Sequence, residues 1–148
     1  MPLTVEIVTA EKIVQVEDDV EVLIVPGSEG QLAILPSHAP LMTTLNVGEL
    51  VFRSKDDETN FAVAGGFLEI RDNHVIVLAN AAEPGDDIDV TRAEEARVRA
   101  EERLRNAQDE STSQIDLVRA RAAMQRALLR LRVAEKRRRR PGAPRPGG

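Results

Sequence analysis

The phrase Ile-Asp-x-x-Arg-Ala occurs twice in the last third of this chain, at 88–93 and again at 115–120. Each copy reads as a helix start: an Asp N-cap, an apolar residue just before it and helix formers after it. The two starts, Asp89 and Asp116, divide this third into two helices. Between them lies a polar turn, Gln108-Asp109-Glu110-Ser111-Thr112-Ser113. Everything before Pro84 reads differently, as short β-strands. The chain is thereby constrained to a β module followed by a helical hairpin.

Leu3-Thr4-Val5-Glu6-Ile7-Val8 alternates apolar and polar residues cleanly and opens the series of strands. Further strands are expected at 12–16, 20–25, 31–34, 42–45, 48–53, 60–64, 67–71 and 74–79. Turn chemistry separates them at Asp18-Asp19, Pro26–Gly30, Lys55-Asp56-Asp57, Gly65-Gly66 and Asp72-Asn73. Short strands at this spacing suggest a sandwich or barrel. With only three Phe, its core must be built from Val, Ile, Leu and Ala. The breaker cluster Glu83-Pro84-Gly85-Asp86-Asp87 marks the change of register. The expected organisation is a β module over 1–84, a hinge at 85–89, a helical hairpin over 90–140 and a disordered Pro/Gly tail at 141–148.

Composition removes several function classes. The absence of cysteine excludes disulfides, zinc–thiolate sites and thiol catalysis. His38 and His74 lie too far apart for metal-ligand spacing, and His38, between Pro36 and Pro40, reads as a turn brace. No apolar run reaches the roughly 20 residues that span a bilayer, and a chain opening directly on a strand argues against a signal or transit peptide. No phosphate loop, nucleophile elbow or zinc-protease motif occurs, so no catalytic residue is assigned.

The net charge of −5 conceals a strong polarity. Residues 1–87 carry 16 acidic and 4 basic side chains, a net of −12, whereas 88–148 carry 9 acidic and 16 basic, a net of +7. The basic residues are mostly Arg, whose planar fork suits carboxylate and phosphate. In the first helix, Glu95 can pair with Arg99 and Glu101 with Arg105. The second helix holds Arg119, Arg121, Arg126, Arg130 and Arg132 with no acid between Leu117 and Ala134. An antiparallel fold of the hairpin about a turn near residue 111 would bring Arg92 towards Arg130 and Arg99 towards Arg126, four guanidiniums that need an anion between them. The apolar stripes are thin: Val90, Ala93, Ala96, Ala100 and Leu104 on the first helix, and Leu117, Met124, Leu128 and Leu131 on the second. Small residues bury little surface, so the pair should be loosely held.

At this point the chain closely resembles the epsilon subunit of bacterial and chloroplast F1Fo ATP synthase. The resemblance spans residues 1–136 and rests on three segments: 25–41 (Val-Pro-Gly-Ser-Glu-Gly-Gln-Leu-Ala-Ile-Leu-Pro-Ser-His-Ala-Pro-Leu), the pair Gly65–Ile70 and Val75–Ala79, and the Ala-rich hairpin ending in Leu131-Arg132-Val133-Ala134. It implies a ten-stranded β-sandwich followed by an antiparallel two-helix hairpin. It also implies a non-catalytic rotor subunit that docks on the gamma subunit and touches the ring of c subunits through Ser28, Glu29, Gly30 and Gln31. The hairpin would move between a folded pose and one extended along gamma, where its arginines meet the catalytic beta and alpha subunits and ATP hydrolysis is inhibited.

Some members of that family bind ATP through an [Ile/Leu]-Asp-x-x-Arg-Ala motif. The resemblance carries this role to Ile88, Asp89, Arg92 and Ala93, with Glu83, Arg99, Arg126 and Arg130 at the family's other contact positions. ATP would then be a regulatory ligand and no cofactor would be required. The implied location is peripheral, on the cytoplasmic face of the bacterial cell membrane or, as the lesser option, a thylakoid. The membrane would be touched only indirectly. Lys136–Arg140 and the Pro/Gly tail are longer and more basic than the family pattern. The alternative that the charge allows is a nucleic-acid-binding module built on the basic hairpin. The acidic β module and the lack of stacking aromatics oppose it, so no nucleic acid is expected as a partner.

Overall fold

The computed structural model describes residues 1–107 and 114–139. The expected polar turn at 108–113 and tail at 141–148 lie outside the described residues. The chain divides into two compact units, Met1–Gly85 and Asp86–Gly148.

The first unit contains eight strands: β1 (Leu3–Val8), β2 (Ile13–Val20), β3 (Val22–Gly27), β4 (Gly30–Ile34), β5 (Leu41–Ser54), β6 (Asp57–Arg71), β7 (His74–Ala79) and β8 (Ala82–Pro84). They pair in the order β2-β1-β7-β6-β5-β3-β4, with β8 against β6. Among the described residues only the β1–β7 pair is parallel. The count is eight where ten was expected, because two expected pairs of strands are each continuous. β5 runs 14 residues and β6 runs 15, and they pair along most of their lengths. The first half of β5 and the second half of β6 belong with β7, β1 and β2. Their other halves belong with β3, β4 and β8. Each long strand thus serves both layers of the sandwich.

The side-chain alternation records the crossing. In β6, Phe61 and Val63 face inward, but so do Leu68 and Ile70, which have the opposite parity. The phase flips at Gly65-Gly66, whose φ angles of 87° and 130° only glycine adopts readily. These glycines were expected to form a turn; they lie inside the strand instead. β5 flips likewise between Leu45 and Leu50. The core between the layers is aliphatic, centred on Leu3, Val5, Ile7, Leu23, Val25, Leu50, Leu68 and Val77, with Phe52 and Phe61 stacked at 6.1 Å.

One further boundary differs from expectation. β2 runs through Asp18-Asp19, where a turn was expected, with Asp19 at φ 61°. In the cluster at 83–87, Ala82–Pro84 pairs with β6, and Gly85–Asp87 forms one 3-10 turn.

In the second unit, α1 (Val90–Asn106) and α2 (Gln114–Arg139) pack against each other. The buried side chains are mostly alanines at heptad spacing, Ala93 and Ala100 in α1 and Ala120, Ala127 and Ala134 in α2, joined in α2 by Leu129 and Val133. Leu117, Met124 and Leu131 fall on the same heptad and are half-buried. Leu128, expected on that stripe, is 48% exposed, since a position next to Ala127 points about 100° away around the helix. No described helix is long and apolar enough to cross a membrane.

Candidate functional site

The first copy of the repeated phrase builds the start of α1 as expected. Asp89 is the N-cap with extended φ and ψ, and its Oδ1 accepts from the Arg92 backbone N–H at 3.1 Å. Its carbonyl accepts from the Ala93 N–H at 3.0 Å. Ile88 and Ala93 flank this cap and are buried, whereas Asp89 and Arg92 are exposed. The phrase therefore alternates anchoring positions with accessible ones.

The second copy behaves differently. α2 begins at Gln114, so Asp116 lies inside its first turn and is not the residue that starts the helix. There its charge still complements the positive end of the helix dipole. Ile115, the counterpart of buried Ile88, is 64% exposed. Identical residues thus take different roles: Ala93 and Ala120 are both buried, but only the first copy buries its isoleucine beside a capping Asp.

Of the arginines singled out by sequence, Arg92 and Arg99 lie on α1 seven residues apart, about two turns, and both are exposed. Arg126 is exposed on α2 and Arg130, one turn further on, is half-buried. Arg92, Arg99 and Arg126 form no ion pair with a described residue. The expected Glu101–Arg105 pair is present at 3.6 Å, but the expected Glu95–Arg99 pair is absent. In its place Arg97, which no expectation included, binds both Glu94 and Glu101, the latter at 2.8 Å. The hydrogen bond from Arg97 holds the Glu94 carboxyl below the usual carboxylate range and raises the guanidinium in turn. Acids at i−3 and i+4 were the signal for this clamp. It engages Glu94 and Glu101 and leaves Arg92 and Arg99 without an ion pair to a described residue.

Glu83 belongs to the first unit, on β8 opposite Ala62. Ser28 and Glu29 form the tight turn between β3 and β4, and with Gly30 and Gln31 they are exposed. The Ser28 N–H donates to the Thr44 carbonyl at 3.1 Å, which ties the turn to β5. His38 is half-buried with Nδ1 2.7 Å from the Ala39 carbonyl oxygen, in keeping with a turn brace. Among the described residues no group of three or more His, Asp or Glu could hold a metal ion.

One surface was missed. The outward face of the layer β2-β1-β7-β6-β5 carries Phe67 (55% exposed), Leu78 (53%), Met42 (70%), Ile13 (61%) and Val16 (52%). Register makes them neighbours: Phe67 is opposite Leu78, Leu78 is beside Val8, and Val8 is opposite Ile13. The signal was β7, His-Val-Ile-Val-Leu-Ala, which is apolar at both parities and so asks for cover on both faces. Contiguous exposed apolar surface of this kind marks an interaction site.

Comparison with known proteins accounts for both units. Residues 2–85 match the family described as ATP synthase, Delta/Epsilon chain, beta-sandwich domain, and residues 86–135 match its long alpha-helix domain. The ATP synthase epsilon chain of Herpetosiphon aurantiacus is 45% identical over 140 residues, covering 95% of this chain and 99% of that one. The epsilon chain of Pelotomaculum thermopropionicum is 54% identical over 99 residues, covering 67% and 73%. Among solved structures, a chain of the Euglena gracilis mitochondrial ATP synthase (OSCP/F1/c-ring, rotational state 1) superposes with a TM-score of 0.71 at 17% identity, covering 84% of this chain and 76% of that one. A chain of the Tetrahymena thermophila mitochondrial ATP synthase central stalk and c-ring superposes at 0.63 with 14% identity, covering 90% and 97%. At these identities the superpositions speak to the fold.

Proposed function

The chain belongs to the Delta/Epsilon-chain family of ATP synthases, non-catalytic subunits of that complex, and on that premise we propose that it couples the gamma subunit to the c-ring and restrains ATP hydrolysis through a movable C-terminal hairpin. The observation that carries this reading is the alanine seam of the second unit. Burying alanine in place of leucine removes far less apolar surface from water, at about 25 cal/mol per Å², and with only Leu129 and Val133 larger than alanine among the buried described side chains of α1 and α2, the hairpin is held together weakly. α2 meanwhile presents arginines with no acid between Leu117 and Ala134, a surface suited to acidic segments of the beta and alpha subunits.

The outward apolar face of the sandwich supports docking on gamma. The exposed Ser28–Gln31 turn supports contact with the c-ring, and through that ring the chain would sit peripherally at the membrane. The hairpin also suits ATP as a regulatory ligand. Arg92, Arg99 and Arg126 are exposed cations without an ion pair to a described residue, as phosphate oxygens require. Arg130 stands one turn from Arg126. Ile88 and Ala93, being buried, would position the helix start, and Glu83 remains the acceptor that the resemblance implies.

Two experiments test these claims. Truncation after Asp87 should raise ATP hydrolysis by the assembled complex, and an unchanged rate removes the regulatory role. Calorimetric titration of the full chain with ATP should saturate, with affinity lost in Arg92→Ala and Arg126→Ala. Absence of saturable binding by the parent chain removes the nucleotide role and leaves the rotor role standing.

A further inference from the structure

The apolar outward face carries a carboxylate, Glu69, that has no ion pair with a described residue. Two rows of side chains cross the layer. The first runs Thr44, Phe67, Leu78, Val8, Ile13 and is apolar after its first member. The second runs Met42, Glu69, Ile76, Glu6, Val16, so that each carboxylate stands between two apolar residues. Glu6 is served by His74, whose Nε2 is 3.5 Å from its Oε2. Glu69 has no ion pair with a described residue, although Arg71 lies two residues along the same face. Beside Glu69 the sheet forms a shallow recess of about 390 Å³, lined also by Arg71, Asp72, His74 and Ile76.

A partner that covers Phe67 and Leu78 also removes water from Glu69, which adjoins Phe67 on its own strand. Burying a carboxylate without a counter-charge is strongly unfavourable, whereas a paired one is tolerated. We propose that the protein surface docking on this face presents a lysine or arginine to Glu69, received in the recess that Glu69 and Ile76 line. Glu69 then selects the partner and fixes its register, while Phe67 and Leu78 supply the apolar anchor. This rests on the reading that the face docks gamma.

The test uses the full chain, fluorescently labelled, and an F1 sector depleted of this subunit, with dissociation constants measured over a range of salt concentration. Glu69→Gln should weaken binding by about tenfold, flatten its salt dependence, and leave the free chain folded, because the residue is exposed. Glu69→Lys should weaken binding further, and a lysine- or arginine-to-glutamate change in gamma should restore it. Phe67→Ala should weaken binding without altering the salt dependence. If Glu69→Gln binds as tightly as the parent with an unchanged salt dependence while Phe67→Ala is impaired, the assignment of Glu69 fails and the docking face stands. If Phe67→Ala and Leu78→Ala both bind like the parent, the docking face fails and the assignment of Glu69 fails with it.

Discussion

Phe67 of β6 and Leu78 of β7 stand directly opposite each other, and both keep more than half their surface in contact with solvent. Their chain neighbours Leu68 and Val77 form the adjacent pair and are fully buried. One step along the strand separates a core pair from an exposed apolar pair. The two faces should therefore answer differently to substitution. Leu68→Ala should cost about 2–5 kcal/mol of folding stability. Leu78→Asn should stay within about 0.5 kcal/mol of the parent. Urea unfolding of the free chain measures both, and a large loss in Leu78→Asn would mean that this face serves folding and not docking.

Gly66 holds the point where β6 passes between layers. Its φ of 130° excludes a side chain, and a methyl there would run into the Leu78 carbonyl. Gly66→Ala should destabilise the sandwich by about 2 kcal/mol or more. Thermal unfolding reads this directly. A loss below about 0.5 kcal/mol would show that the strand can cross elsewhere.

This crossing also explains which parts of the fold were legible in the chain. Phe61 and Val63 before Gly65-Gly66, and Leu68 and Ile70 after it, each mark a two-residue period, so each half reads as a strand and the glycines as a turn. That the halves are one strand is decided by pairing with β5 over both, which lies far away in sequence. The helices were legible because capping and heptad spacing are local, yet Leu128 was misplaced by one position because alanine hides a stripe that leucine advertises. Asp89 and Asp116 have the same neighbours in sequence, and only packing separates the cap from the first-turn acid. The arginines of the hairpin were legible by type and spacing. The outward sheet face was not, because an exposed apolar residue and a core residue look alike in sequence until the register assigns each to a side.

The two copies of the repeated phrase make a controlled comparison. Asp89→Ala removes an N-cap acceptor from the Arg92 amide and should cost about 1 kcal/mol of α1 stability. Asp116→Ala removes a charge from within a first turn and should cost at most about 0.5 kcal/mol. Hydrogen exchange separates them: the Arg92 and Ala93 amides should lose protection in the first variant and keep it in the second. Equal effects at both positions would mean that Asp116 also caps.

The last prediction concerns the seam that the regulatory reading needs. Ala127 is 2% exposed and sits in the alanine heptad shared with Ala120 and Ala134. A close-packed helix pair built on methyl groups leaves no space for a branched side chain, and overpacking of this kind costs about 1–3 kcal/mol. Ala127→Leu should thus push α1 and α2 apart. Leu128→Ala, one position round the helix and 48% exposed, should stay within about 0.5 kcal/mol. The disturbance should stay within the second unit: amide exchange rises across α1 and α2, while β1, β6 and β7 keep their protection, because the aliphatic core of the sandwich is complete without the hairpin's alanines. If Ala127→Leu leaves exchange in α1 and α2 unchanged, the helices are not in close approach there. The argument for a weakly zipped, movable hairpin then loses its physical basis.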